Sequence, residues 1–390
     1  QLARHRTLLQ DREAECTKMR AENETYVSRM LDDKLKMVDE MNRMNALVAE
    51  LERKLAVAEA GRGKPARRAG AGAATDDLRD LAGTMPASSC AVPTSVTHSI
   101  RAHTTEVNAC CMNDSGALVY TASSDGTCRI WDVVTGKLKG TLRGAADQPV
   151  MSVFAKGDRV LGGCNDHKLR LWDSNTERVQ ATMTGHSGKI YGCQLLPEHN
   201  LAVSCSTDRS IKLWDVGRGH CVRTIASTSI VNSLGASADG SMIVTGHQDK
   251  SVRLWDARKG QRLAENRTAH TAAVTSSTFS LGLGMAPIIL TASRDNMLRV
   301  FDGFTLMESA RLSNESFMLR YNWSHATFSP DAEHAACGAA SGEVLVWNTK
   351  SHELEATLSA HKAAVSCTAW SLDGRHMASC DGEGFLALYQ

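Results

Sequence analysis

From Val27 to Ala60 the apolar side chains recur at alternating spacings of three and four. One set is Val27, Met41, Val48 and Leu55, with Lys34 at its remaining position; the other is Met30, Met37, Met44, Leu51 and Ala58. This is the a/d stripe of a left-handed coiled coil. The first sixty residues lack Pro and Gly and are dense in Glu, Lys, Arg, Met and Leu, so one continuous helix is expected over 1–60. Lys34, a lone polar residue at an a position, favours a parallel dimer over larger bundles while weakening it. Upstream the register decays, with Glu13 and Arg20 at a and Asn23 at d. A lone solvated helix is the competing reading, and four consistent heptads weigh against it. Leu31, Leu35, Val38 and Leu47 flank the seam and widen its apolar stripe. Either the coil is longer and more bundled, or Leu31, Leu35 and Val38 form a face for a third partner.

The pattern breaks at Gly61-Arg62-Gly63-Lys64-Pro65, and a Gly/Ala/Arg run to Ala74 has no apolar anchors. Residues 61–95 read as a flexible linker. Its basic cluster (Arg62, Lys64, Arg67, Arg68) can meet an anionic membrane surface, at about 1 kcal/mol per charge. A solvated linker is the simpler reading.

From about 96 the period changes to short strands, and the strand ends repeat. They read RIWD at Trp131, RLWD at Trp172, KLWD at Trp214 and RLWD at Trp255, then RVFD at Phe301, VLVWN at Trp347 and LALYQ at Tyr389. The intervals are 41, 42, 41, 46, 46 and 42 residues, the period of a WD40 blade. Seven occurrences predict a seven-bladed β-propeller over 96–390. The expected fold is therefore an all-β seven-bladed WD40 propeller preceded by a long α-helical parallel coiled coil. The last repeat ends without an outer strand, which Val96–Ile100 can supply by closing the ring.

Within the repeats an Asp stands six residues before the aromatic in five blades: Asp125, Asp166, Asp208, Asp249 and Asp295. It sits in a turn, where a carboxylate accepts backbone N–H groups. A His lies upstream at His103, His186, His270 and His361. Together with Trp131, Trp172, Trp214 and Trp255 these resemble the buried Asp–His–Ser/Thr–Trp network of WD40 proteins, most complete as His186, Ser204, Asp208 and Trp214. A Ser–His–Asp trio also resembles a hydrolase triad, but a trio repeated in register is scaffold rather than active site. Blade six departs: Ser341-Gly342 replaces the turn Asp, Asn348 replaces the Asp after Trp, and Phe317, Met318, Tyr321 and Trp323 crowd the segment before it. Those residues are either a recognition patch or, the favoured reading, filling for a distorted blade.

Composition adds mainly exclusions. A net charge of +1 argues against a nucleic-acid surface, and no run of eighteen apolar residues occurs. Neither a P-loop, a GxSxG elbow nor metal-ligand spacing is found, so no catalytic residue, cofactor or metal is expected. The twelve cysteines are scattered, Cys110 and Cys111 being the one close pair, and are expected to be buried small hydrophobes in a reducing, cytoplasmic setting. The chain opens at Gln1 without a secretory signal, and we expect it to be part of a longer protein.

Coil, linker and terminal propeller together resemble autophagy-related protein 16. The similarity rests on Glu22-Asn23, Val27, Arg29-Met30, Lys34, Met41-Asn42 and Asn45 in the coil. In the propeller it rests on Thr184–Ile190, Lys212–Asp215 and Trp323–Asp331. The resemblance implies a dimeric, non-catalytic adaptor. It would bind the 12–5 autophagy conjugate through an N-terminal helix not evident in this chain, and would direct lipidation of an Atg8-type protein at the forming autophagosome. It further implies that the coil meets a phosphoinositide-binding propeller or a Rab GTPase, with peripheral membrane association. Animal relatives carry an aromatic and a Lys on a propeller surface where this chain has Gln248 and Ala273, which puts the single-membrane role of that surface in doubt. The alternative is another coiled-coil WD40 adaptor: vesicle-coat, cytoskeletal or a ubiquitin-ligase substrate receptor.

Overall fold

The computed structural model describes residues 90–144, 148–196, 200–280 and 286–390, with Lys36, Asp39, Glu40, Asn42–Met44, Leu47 and Lys54. The chain divides into two compact units, Gln1–Gly61 and Arg62–Gln390. In the first unit the described residues are helical, and Met44 and Leu47 are exposed. The rest of the expected seam (Val27, Met30, Lys34, Met37, Met41, Val48, Leu51, Leu55) and the flank (Leu31, Leu35, Val38) lie outside the described residues. So does the expected linker as far as Ser89.

Among the described residues of the second unit, twenty-eight strands form seven four-stranded antiparallel sheets, the seven blades that the repeat period predicts. After a leading strand β1 (Val96–Arg101), blade one is β2 (Val107–Met112), β3 (Leu118–Ser123), β4 (Cys128–Asp132) and β5 (Leu138–Leu142). Blade two is β6 (Val150–Lys156), β7 (Arg159–Cys164), β8 (Leu169–Asp173) and β9 (Val179–Met183). Blade three is β10 (Ile190–Leu195), β11 (Leu201–Ser206), β12 (Ser210–Asp215) and β13 (His220–Ala226). Blade four is β14 (Val231–Ala236), β15 (Met242–His247), β16 (Val252–Asp256) and β17 (Arg262–Asn266). Blade five is β18 (Val274–Phe279), β19 (Ile288–Ser293), β20 (Met297–Asp302) and β21 (Glu308–Leu312). Blade six is β22 (Ala326–Phe328), β23 (His334–Gly338), β24 (Glu343–Asn348) and β25 (Leu354–Ser359). Blade seven is β26 (Val365–Trp370), β27 (Met377–Asp381) and β28 (Phe385–Tyr389), completed by β1. Strand β1 pairs with β28, Arg101 opposite Phe385 and Val96 opposite Tyr389, so the two ends of the propeller share one sheet and leave no open edge there.

The burial pattern follows from this architecture. Middle strands such as β11 are buried on both faces because each blade lies between two others, whereas outer strands such as β9 are mostly exposed. Seven apolar clusters lie one at each seam between adjacent blades. The aromatic ending each third strand faces back into the seam with the preceding blade: Trp172 packs with Val150 and Tyr120, and Trp214 with Leu161 and Ile190. A buried Trp removes roughly 200 Å² from water, about 5 kcal/mol before entropy is charged against it. Polar contacts also tie inner strands together. Asn108 Nδ2 donates to Val150 O at 2.9 Å, Asn232 Nδ2 to Val274 O at 2.9 Å, and Ser366 Oγ to Val107 O at 2.6 Å.

Candidate interaction platform

In the turn after the second strand of blades one to five, Asp side chains fold back on their own backbone: Asp208 Oδ1 accepts from Ser210 N and Asp125 Oδ1 from Thr127 N, both at 2.9 Å. The residue following the Asp takes a left-handed conformation, which Gly126 adopts freely (φ 80°) but Arg209 and Lys250 adopt at a cost (φ 64° and 72°). The carboxylate bonds hold these turns in place.

Blades one, three, five and seven each carry a His against this carboxylate. His103 Nδ1 lies 2.9 Å from Asp125 and its Nε2 2.8 Å from Thr121, which accepts Trp131 Nε1–H at 3.1 Å. In blade three His186 pairs with Asp208 and Ser204, and Ser204 with Trp214, each at 2.8 Å. In blade five His270 meets Asp295 at 3.0 Å and Thr291 at 2.8 Å beside Phe301. In blade seven His361 meets Asp381 at 3.0 Å and Ser379 at 2.6 Å, with Tyr389 Oη 2.8 Å from Ser379. Burial favours a neutral His186 imidazole, and that sets the proton order in blade three. Trp can only donate and an ionised carboxylate only accept, so Nδ1–H donates to Asp208 and Ser204 O–H donates to the bare Nε2.

The charges are tuned to match. Burial raises the Asp125 and Asp295 carboxyls, but hydrogen bonds from His103 and Thr127, and from His270 and Thr271, outweigh it and hold each at about 2. Asp208 is likewise held well down against burial, mainly by His186. Burial pushes His186 below its ordinary value despite Asp208. The Ser204 hydroxyl is fully buried and engaged on both sides, so the trio has neither access nor a free nucleophile. Propeller and network together point to a non-enzymatic scaffold.

Two of the expected Asp residues join other partners. Blade two has Gly162 at the hydroxyl position and Gly144 at the His position, so Asp166 pairs with Arg170 (Oδ1 to Nη1, 2.9 Å) and Trp172 Nε1 donates instead to Arg143 O at 2.7 Å. A Cβ on Gly162 would stand 2.5 Å from the Trp172 ring, so glycine is what lets that ring lie as it does. Blade four has Ser227 where the others have His. There His247, two residues past Thr245, supplies the imidazole: its Nε2 meets Thr245 at 2.8 Å, and Thr245 accepts Trp255 Nε1 at 2.8 Å. Asp249 turns to Arg253 at 2.6 Å. Burial, joined by the Arg253 guanidinium, drives His247 down to about 3.

Blade six replaces the network altogether. Leu319, Cys337 and Ser341 stand where His, hydroxyl and Asp stand elsewhere, and the buried Trp347 Nε1 has no hydrogen-bond partner among the described residues. Phe317 packs edge-on against Trp347 with ring centroids 5.0 Å apart, and both are buried. Of the other residues singled out here, Met318 is exposed, and Tyr321 stacks on Trp323 at 5.2 Å, both half-buried. The segment is pinned by Leu319 N to Asn296 Oδ1 (3.0 Å), Ala340 N to Met318 O (2.7 Å) and Arg294 Nη1 to Arg320 O. It is thus core at Phe317 and Leu319, exposed at Met318 and half-buried at Tyr321 and Trp323. Gln248 and Ala273 lie on loops at the same ends of their blades, Gln248 Oε1 accepting from Asn232 at 3.1 Å.

Sequence reasoning passed over His247, Asp381 and Ser379, and placed Tyr389 only as the last strand end. For Asp381 the signal was hidden by position, since it stands eight residues before the aromatic rather than six. It also passed over a convergence of Cys110, Cys367 and Cys380, far apart in the chain.

Comparison with known proteins places these features. The repeat described as WD domain, G-beta repeat matches residues 94–132, 136–173, 177–215, 219–256 and 352–390. Each matched stretch runs from the outer strand of one blade through the three inner strands of the next, the offset that ring closure requires. Autophagy-related protein 16 of Arabidopsis thaliana is 30% identical over 386 residues, 98% of this chain and 74% of that protein. Protein Atg16l2 of Mus musculus is 30% identical over 75% of this chain and 46% of its own length. Nuclear distribution protein nudF of Aspergillus niger is 27% identical over 72% of this chain and 67% of its own.

Proposed function

This chain belongs to the autophagy-related protein 16 family of WD40-repeat proteins, and on that premise we propose that it is a dimeric, non-catalytic scaffold of the autophagy conjugation machinery. It spans 74% of the plant relative and under half of the mouse one, so the whole protein's partners are part of the proposal. One observation carries the reading: the likeness to the plant protein runs over 98% of the chain, through the region before the propeller as well as the propeller itself. A propeller match alone would not single out this family.

In this reading residues 1–60 form the dimer coil, 61–95 a linker, and 96–390 a docking platform. With the 12–5 conjugate the scaffold positions lipidation of an Atg8-type protein on the forming autophagosome membrane, adding no catalytic group. Among the described residues no helix is long and apolar enough to cross a membrane, and membrane recruitment is assigned to partners such as a phosphoinositide-binding propeller or a Rab GTPase on Leu31, Leu35 and Val38. Pull-down with the full-length protein should recover the 12–5 conjugate, and gene deletion should abolish Atg8 lipidation; normal lipidation in the deletion strain sinks the proposal. Met37→Asp with Met44→Asp buries two charges in the proposed seam and should convert a dimer to a monomer by light scattering, an unchanged mass refuting the register. The likeness to a nuclear distribution protein keeps a second reading, a cytoskeletal or other WD40 adaptor. Recovery of tubulin, coatomer or a cullin in place of autophagy proteins would favour it.

A further inference from the structure

At three of the seams between blades, three equivalent positions meet: the third residue of one inner strand, its partner on the second strand, and the fourth residue of the next blade's inner strand. Between blades two and three these are Ser152, Gly163 and Cys193, with Ser152 Oγ 3.4 Å from Cys193 Sγ. Between blades four and five they are Ser233, Gly246 and Ser277, the hydroxyls 2.9 Å apart. Small residues and hydroxyls fill those seams well, so close packing does not call for three thiols. Where blade seven meets blade one, all three are cysteine. Cys367 on β26 stands opposite Cys380 on β27, Cys110 reaches them from β2, and the three sulfurs lie within 4.8 Å of one another.

The structure assigns this seam as a thiolate site for a zinc(II)-class metal ion, held by Cys110, Cys367 and Cys380 with a solvent molecule as fourth ligand. Thiolates on tetrahedral zinc at about 2.3 Å stand about 3.8 Å apart. The sulfurs therefore need to close by no more than about 1 Å per pair, within reach of side-chain rotation. Three soft sulfur donors select a thiophilic ion over magnesium or calcium. Cys367 and Cys380 are buried, while Cys110 is half-buried and gives the ion and its solvent ligand a way in. Binding releases the thiol protons to solvent. The ion then joins the two inner strands of the last blade to the inner strand of the first, beside the Ser366–Val107 hydrogen bond, and reinforces the closure made by β1 and β28.

The test uses the full chain, reduced and freed of metal by chelation. Cobalt(II) titration should give a sulfur-to-cobalt charge-transfer band that saturates at one equivalent and is displaced by zinc(II), and zinc should raise the melting temperature. Cys367→Ser with Cys380→Ser should abolish the band, Cys110→Ser should weaken it several-fold, and Cys193→Ala should leave it unchanged. The wild-type titration decides the matter even if the double variant does not fold. Absence of a thiolate band in the wild-type chain overturns the site, as does a band that survives loss of Cys367 and Cys380 or one that Cys193→Ala removes.

Discussion

Blades three and six have the same strand order and solve the same packing problem with opposite chemistry. In blade three the tryptophan is held by Ser204, His186 and Asp208, every polar atom of the series paired. In blade six Leu319, Cys337 and Ser341 take those places, Phe317 packs on Trp347, and the indole N–H is left without a partner among the described residues. A buried donor without a partner costs about 1–3 kcal/mol, and the added aromatic contact offsets it. The fold therefore requires a filled seam rather than a His–Asp pair. The segment before β22 exposes Met318 and leaves Tyr321 and Trp323 half-buried, stacked on each other.

Four changes would break or sharpen that contrast. The largest effect is expected from Phe317→Ala, which empties the seam between blades five and six and should cost about 4 kcal/mol in denaturant unfolding. Blade three should tolerate aromatic changes elsewhere but not loss of its carboxylate. Asp208→Ala strands the His186 Nδ1–H, Ser187 N and Ser210 hydroxyl and should cost about 3 kcal/mol.

Acidity separates the blades next. His247 has a folded value near 3, below its ordinary 6.5, so the unfolded chain binds the proton more readily between the two. Its contribution is complete above about 6.5 and declines as pH falls toward 3, by about 2 kcal/mol at pH 5. His247→Gln should flatten the slope of stability against pH between 6.5 and 5, measured by urea unfolding. An undiminished slope would show that another histidine carries it. Asp125 and Asp295, held near 2, act in the same direction at lower pH: their contributions are present above the ordinary value of 3.8 and are lost as pH falls through 2. The smallest change is Cys337→Ser, which places a hydroxyl ten residues before Trp347 as in blades one, three and four. It should stabilise by about 1 kcal/mol through the indole N–H, read as a raised melting temperature.

Much of this is legible in the sequence. The blade number, the strand ends and the closing role of Val96–Ile100 follow from the spacing of aromatic residues. The turn Asp positions follow from local backbone chemistry. The fate of each Asp was less legible, although the signs were present: Gly144 and Gly162 in blade two and Ser227 in blade four show that the expected partners are absent, and a register-by-register reading would have redirected Asp166 and Asp249 to their arginines. Asp381 escaped because blade seven places its carboxylate in the strand end instead of the turn.

The sequence by itself determined the repeat, the strand alternation, the number of blades and the family resemblance, because these depend on interactions among residues close in the chain and on a period that any one blade restates. Only the tertiary structure decided which side chains meet across the closing seam. Cys110 and Cys367 lie at opposite ends of the propeller sequence, and no local pattern relates them. They come together because the accumulated turn of seven blades returns the last inner strand to the side of the first, a consequence of the whole ring.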